Sequence, residues 1–156
     1  MEVSQLNAHF LELELTESML MADDQDQKHG SFATFSRLQQ MGVNIAIDDF
    51  GTGYSSLSYL KRFPVNTLKI DRSFIKDVCE NLDDAAITDA IIAMAHSLQL
   101  DVVAEGVETH AQSQFLQERG CEYAQGFLFS PPIDTDAMTY LLSQAKINAN
   151  IFAELV

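Results

Sequence analysis

Apolar runs recur five times along this chain, and each closes on an acidic or amide residue: Leu13-Glu14-Leu15-Thr16-Glu17, Ile45-Ala46-Ile47-Asp48-Asp49, Leu68-Lys69-Ile70-Asp71, Val102-Val103-Ala104-Glu105 and Tyr123-Ala124-Gln125. Short apolar runs of this kind predict strands, placed near residues 10–15, 43–48, 67–70, 101–105 and 122–125. Glu14, Asp48, Asp71, Glu105 and Gln125 are separated by 34, 23, 34 and 20 residues. Gaps of that size hold a crossover helix and make the strands parallel, because a βαβ unit takes roughly 30 residues and a hairpin far fewer. The intervening helices are expected near 29–41, 55–62, 83–98, 109–118 and 134–145. The strongest runs from Asp84 to Leu98, where Ile87, Ile91, Ala95 and Leu98 recur at helical spacing. Thr109 and Asp134 stand where helix N-caps belong.

Carboxylates at the same end of successive parallel strands converge on one rim, where like charges coexist when cations bind between them. The pattern therefore predicts a metal-dependent active site. With 156 residues and 47% hydrophobic content, the chain can bury a sizeable core as one domain. A complete (β/α)₈ barrel usually takes about 250 residues and eight strands. Five visible strands leave two architectures: a smaller open sheet, or the C-terminal part of a barrel whose first three strands lie upstream of Met1.

Charge narrows the partners. The net charge is −14 with only 9 Lys plus Arg, so unassisted DNA or RNA binding is excluded, and a phosphate-bearing ligand would need divalent metals to supply positive charge. Cys79 and Cys121 lack CxxC spacing, which predicts a reduced, cytoplasmic compartment. The histidines at 9, 29, 96 and 110 form no HxH or HExxH pattern. No segment approaches the ~20 apolar residues of a membrane span, and Met1-Glu2-Val3 does not begin a signal peptide. Asp23-Asp24-Gln25-Asp26-Gln27-Lys28 reads as a solvated loop, and residues 146–156 as a tail or terminal helix after a domain spanning 1–145.

The most informative stretch is Ile47-Asp48-Asp49-Phe50-Gly51-Thr52-Gly53-Tyr54-Ser55-Ser56-Leu57. Alone, Asp-Asp-x-Gly is ordinarily a turn. In the company of four other charged or amide strand ends, the pair can hold two divalent ions, one carboxylate bridging them. Asp49-Phe50-Gly51 matches the magnesium-binding tripeptide of protein kinases, yet no HRD-type loop or glycine-rich phosphate loop accompanies it. Gly51-Thr52-Gly53 begins a dinucleotide fingerprint but lacks its third glycine, and the preceding carboxylates would repel an unescorted pyrophosphate.

Together, Glu14-Leu15-Thr16-Glu17-Ser18, Asp48-Asp49-Phe50-Gly51-Thr52-Gly53, Leu68-Lys69-Ile70-Asp71, Ala104-Glu105-Gly106-Val107-Glu108 and Gln125-Gly126-Phe127 resemble EAL domains in order and spacing, from about Leu11 to Leu142. EAL domains are bacterial phosphodiesterases of cyclic di-GMP. The resemblance implies an α/β fold, here a partial TIM-like (β/α) barrel of about five βα units. It implies hydrolysis of cyclic di-GMP to linear pGpG with two Mg2+ or Mn2+ ions. It assigns Glu14 to the first metal, Asp48 to the bridge, and Asp49 and Glu105 to the second metal. Lys69 corresponds to the residue that holds the nucleophilic water and scissile phosphate, and Gln125 to a hydrogen-bonding position near that water. Asp71 and Glu108 correspond to residues that orient these groups. Glu17 corresponds to an anchor of the loop from Asp49 to Ser56, whose shape Thr52, Gly53 and Ser55 would set, with links to dimer contacts.

The chain also departs from the resemblance. The signature Glu-Ala-Leu and an asparagine ligand on the third strand are absent, and both would precede Met1. Phe127 stands where tyrosine is common, and Pro131 where a basic residue commonly precedes the proline matching Pro132. The expectation is that the isolated chain binds metal poorly and hydrolyses weakly or not at all. Its exposed strand edges would then favour pairing with domains or chains that complete the barrel, a homodimer included. The alternative to a shortened phosphodiesterase is a degenerate module that binds cyclic di-GMP or a protein partner without turnover.

Overall fold

The computed structural model describes residues 6–17, 19, 31–53 and 60–147. Five strands, β1 (Glu12–Thr16), β2 (Asn44–Phe50), β3 (Thr67–Ile70), β4 (Asp101–Glu105) and β5 (Tyr123–Gln125), form one sheet in the order β1-β2-β3-β4-β5. Every neighbouring pair is parallel. The helices are α1 (Ser31–Gln40), α2 (Arg72–Ile75), α3 (Leu82–Ser97), α4 (His110–Glu118) and α5 (Thr135–Ile147), with a 3₁₀ turn at Ala8–Phe10. Sequential parallel order without a switch point is the wall of a (β/α) barrel.

Register explains the two faces of this wall. Leu15, Ile45, Ile47, Leu68, Ile70, Val102 and Ala104 join Ile75, Ile91, Ile92, Ala95 and Leu116 of the helices in one apolar core. Because side chains alternate along a strand, the intervening positions face the other way. Glu14 pairs with Ala46, Thr16 with Asp48, Lys69 with Val103 and Glu105 with Gln125. That face is polar, and on it the Thr67 hydroxyl donates to Glu12 Oε2 at 2.9 Å.

Local signals account for most boundaries. Asn7 caps the 3₁₀ turn, which moves the start of β1 to Glu12 from the expected residue 10. Asn81 caps α3 by accepting from the Asp83 and Asp84 N–H groups. The stripe of α3 that faces the sheet is Thr88, Ile91, Ile92 and Ala95, whereas Ile87 is exposed. Thr109 caps α4 in a full capping box with Gln112, and Asp134 Oδ1 accepts from the Ala137 N–H at the start of α5. The short α2 had no counterpart among the expected helices. The loop expected at 23–28 and most of the helix expected at 55–62 lie outside the described residues, as do Ser55 and residues 148–156. Among the described residues, no helix is long and apolar enough to cross a membrane.

Candidate metal centre

The C-terminal ends of the strands gather the charges onto one rim. Two adjacent residues of a regular strand point to opposite faces, so Asp48 and Asp49 need an irregularity to act together. One is present: the pairing of β2 with β3 shifts between Ile47 and Phe50, and Asp49 adopts a left-handed backbone with φ 55°. Aspartate tolerates that conformation better than most residues. Carboxylate oxygens of Asp48, Asp49 and Glu105 consequently all lie within 4.8 Å of one another.

Lys69 sits at the centre of the rim. Its Nζ lies 2.6 Å from Glu14 Oε1, 2.7 Å from Glu105 Oε1 and 3.1 Å from Asp48 Oδ1, and its side chain is only 6% exposed. Burial pulls the ammonium pKa down, but the contacts with Glu105, Glu14 and Asp48 outweigh it and hold the group above its ordinary value. The Asp48 contact is ionic in character, since Asp48 Oδ1 is buried and has no hydrogen-bond partner among the described residues. A buried acceptor oxygen of this kind, flanked by two further carboxylates, fits a divalent cation with oxygen ligands. Glu14 is half exposed and reaches the group through Lys69.

The loop after β2 is tied from below. Glu17 is buried, and its Oε2 accepts from the Gly51 N–H at 3.2 Å. Gly53 lies directly on the same carboxylate: a Cβ there would stand 2.8 Å from Glu17 Oε1. The Thr52 hydroxyl donates to the Asp49 carbonyl at 2.9 Å and closes the turn.

Other residues named from sequence are placed less centrally. Asp71 caps α2, with Oδ1 accepting from the Ser73 N–H at 2.9 Å; burial raises its pKa, and the bonds from Ser73 and the charge of Arg72 lower it below the usual carboxylate value. Glu108 is exposed, and its N–H donates to Gln112. Both line a cleft of about 420 Å³ beside the carboxylates, together with Asp49, Glu105, Gly106, Gln125, Gly126, Phe127, Arg72 and Lys76. Gln125 faces this cleft from the exposed end of β5.

Three residues that the sequence reading left out contribute here. Arg72 and Lys76 bring positive charge to the cleft wall, and their i, i+4 spacing directly after β3 was the available signal. Buried Gln112 donates to the Ile75 and Lys76 carbonyls at 3.2 and 2.9 Å while accepting from the Glu108 and Thr109 N–H groups at 2.8 and 2.9 Å. It thereby clamps the loop after β4 to the C-terminal end of α2. Only its capping-box spacing from Thr109 was visible in sequence.

The EAL domain family profile matches residues 2–132. The chain is 50% identical over 149 residues to the cyclic di-GMP phosphodiesterase NbdA of Pseudomonas aeruginosa, a match covering 96% of this chain and 18% of that protein. The chain thus spans less than a fifth of that relative's length. Among solved structures, the PaMucR phosphodiesterase in complex with c-di-GMP superimposes with a TM-score of 0.81 at 48% identity, over 88% of this chain and 54% of that one. Klebsiella pneumoniae BlrP1, in a manganese/cy-diGMP complex, superimposes with a TM-score of 0.73 at 36% identity, over 84% of this chain and 32% of that one.

Proposed function

The chain belongs to the EAL domain family, and from that premise we propose that it is the C-terminal catalytic part of a cyclic di-GMP phosphodiesterase, hydrolysing one phosphodiester to give linear pGpG. The observation that carries this reading is the convergence of the Asp48, Asp49 and Glu105 carboxylates within 4.8 Å of one another, with the Lys69 ammonium 2.7 Å from Glu105 and 3.1 Å from the buried Asp48 Oδ1. Asp48, Asp49, Glu105 and Glu14 would hold Mg2+ or Mn2+, two ions in the complete domain. Bound divalent ions would lower the pKa of a water molecule and offset charge developing on the phosphoryl oxygens.

The chain's own groups complete the chemistry. Lys69 presents the buried ammonium that holds the attacking water and the scissile phosphate in line. Gln125 offers an uncharged donor and acceptor at the cleft edge, where it orients that water without adding to the negative charge. Arg72 and Lys76 supply cations that a chain of net charge −14 otherwise lacks for an anionic dinucleotide. Glu17 fixes the loop at Gly51 to Gly53 and so keeps Asp49 on the rim; Asp71 and Glu108 orient the cleft wall. Both cysteines are free thiols, which suits a cytoplasmic protein.

A second reading is a module that binds cyclic di-GMP without turnover, favoured by the half-exposed position of Glu14 outside the three-carboxylate group. Conversion of cyclic di-GMP to pGpG by the purified chain with Mn2+, beside Glu105→Gln and Asp48→Asn, separates the two. Turnover abolished by both substitutions supports the enzyme. A folded chain that binds the dinucleotide and produces no pGpG is the binding module.

A further inference from the structure

Lys69 holds an unusual position among the charged residues. Its strand, β3, lies between β2 and β4, and its ammonium reaches carboxylates on both neighbours, Asp48 and Glu105, as well as Glu14 two strands away. An ordinary surface lysine pairs with one carboxylate and keeps its head in water; this one is buried along its whole stem and meets three. The three acidic side chains come from three strands of one sheet, whose pairing fixes their backbones but leaves the carboxylate groups free to swing apart. Without a cation among them, their mutual repulsion in a partly buried setting would drive them apart.

We propose that the Lys69 ammonium is a built-in counter-ion that holds the Glu14, Asp48 and Glu105 carboxylates in their convergent arrangement, and that a divalent cation exchanges with it for those oxygens. The inference rests on the reading of this rim as a metal centre and gives Lys69 a positioning role additional to any contact with substrate. The exchange has a thermodynamic signature. A site already neutralised in part by an ammonium gains less from a metal ion than the same site without it, so deleting the ammonium destabilises the chain and strengthens its response to metal.

The test uses the whole chain, Mn2+ alone as the probe, and thermal melting with calorimetric titration as readouts, so that no turnover is required. Without Mn2+, Lys69→Met melts about 5 °C or more below the unmodified chain. Added Mn2+ raises its melting temperature by about twice the increment seen in the unmodified chain, with affinity about tenfold higher. The double variant Lys69→Met/Glu14→Gln, with one fewer uncompensated anion, melts above Lys69→Met in the absence of metal. A Lys69→Met chain that is unfolded without Mn2+ and folds on its addition supports the proposal equally. Equal Mn2+ increments in both chains, failure of Mn2+ to restore an unfolded Lys69→Met, or a double variant no more stable than the single one overturns it. If the unmodified chain and both variants all fail to bind Mn2+, the metal-centre reading falls and the exchange step with it. The metal-free comparison of single and double variants still decides the counter-ion role.

Discussion

Replacing Gly126 with alanine tests how the rim is assembled. Gly126 follows β5 and lies flat on the backbone of Val107: an added Cβ would stand 2.1 Å from the Val107 carbonyl oxygen and 2.4 Å from its nitrogen. Both atoms belong to peptide groups held on each side, the Val107 N–H donating to the Gln125 carbonyl at 3.1 Å and the Leu128 N–H to the Val107 carbonyl at 3.0 Å. Rigid backbone cannot yield as a side-chain tip does, so the two segments must separate. Two lost hydrogen bonds cost about 1 kcal/mol each, and the imposed displacement about 1–3 kcal/mol more. The expected loss is about 4 kcal/mol, or about 10 °C in melting temperature. Gly42→Ala serves as the control. Gly42 has φ 89° and meets nothing closer than 3.6 Å, so its cost is backbone strain alone, about 1 kcal/mol. Denaturant unfolding followed by circular dichroism measures both. A Gly126→Ala chain within about 1 kcal/mol of the unmodified protein would refute the close packing of β5 against the loop after β4, and with it the placement of Gln125 opposite Glu105.

Gln112→Glu keeps the acceptor that closes the capping box but replaces the amide donor to the Ile75 and Lys76 carbonyls with a buried carboxylate. It should cost about 3 kcal/mol and accelerate amide exchange in residues 76–80 while α4 stays protected; Gln112→Ala should expose both segments, and identical exchange patterns in the two variants would argue against a clamp. Burial pushes the Cys121 thiol up to about 11, while Cys79 is exposed. Iodoacetamide at pH 8 should therefore label Cys79 first. Because the folded pKa of Cys121 exceeds that of an unfolded thiol, its contribution to stability is full below about pH 8.5 and is lost as pH rises toward 11. The melting temperature should fall over that window less steeply in Cys121→Ala, and an unchanged slope would contradict the burial argument.

The sequence by itself determined the five strands and their parallel order, and it named Asp48, Asp49 and Glu105 as strand-end carboxylates. Those features rest on local regularities: short apolar runs, 34- and 23-residue gaps too long for a hairpin, and the side-chain caps at Thr109 and Asp134. Capping and periodicity act between residues a few positions apart, which is why they could be read directly. Other local features were missed, among them the Asn7 and Asn81 caps, because asparagine serves turns and loops as readily as helix starts. What only the tertiary structure decided is how the charges meet. Asp48 and Asp49 share a rim because β2 slips its register against β3 and Asp49 turns left-handed, neither of which adjacent residues announce. Lys69 joins Glu14 across 55 positions of sequence, Glu17 reaches Gly51 across 34, and Gln112 bridges to Ile75 across 37. Contacts at such separations are set by the stacking of whole βα units over the shared apolar core, and a linear pattern of hydrophobic and polar positions carries no record of them.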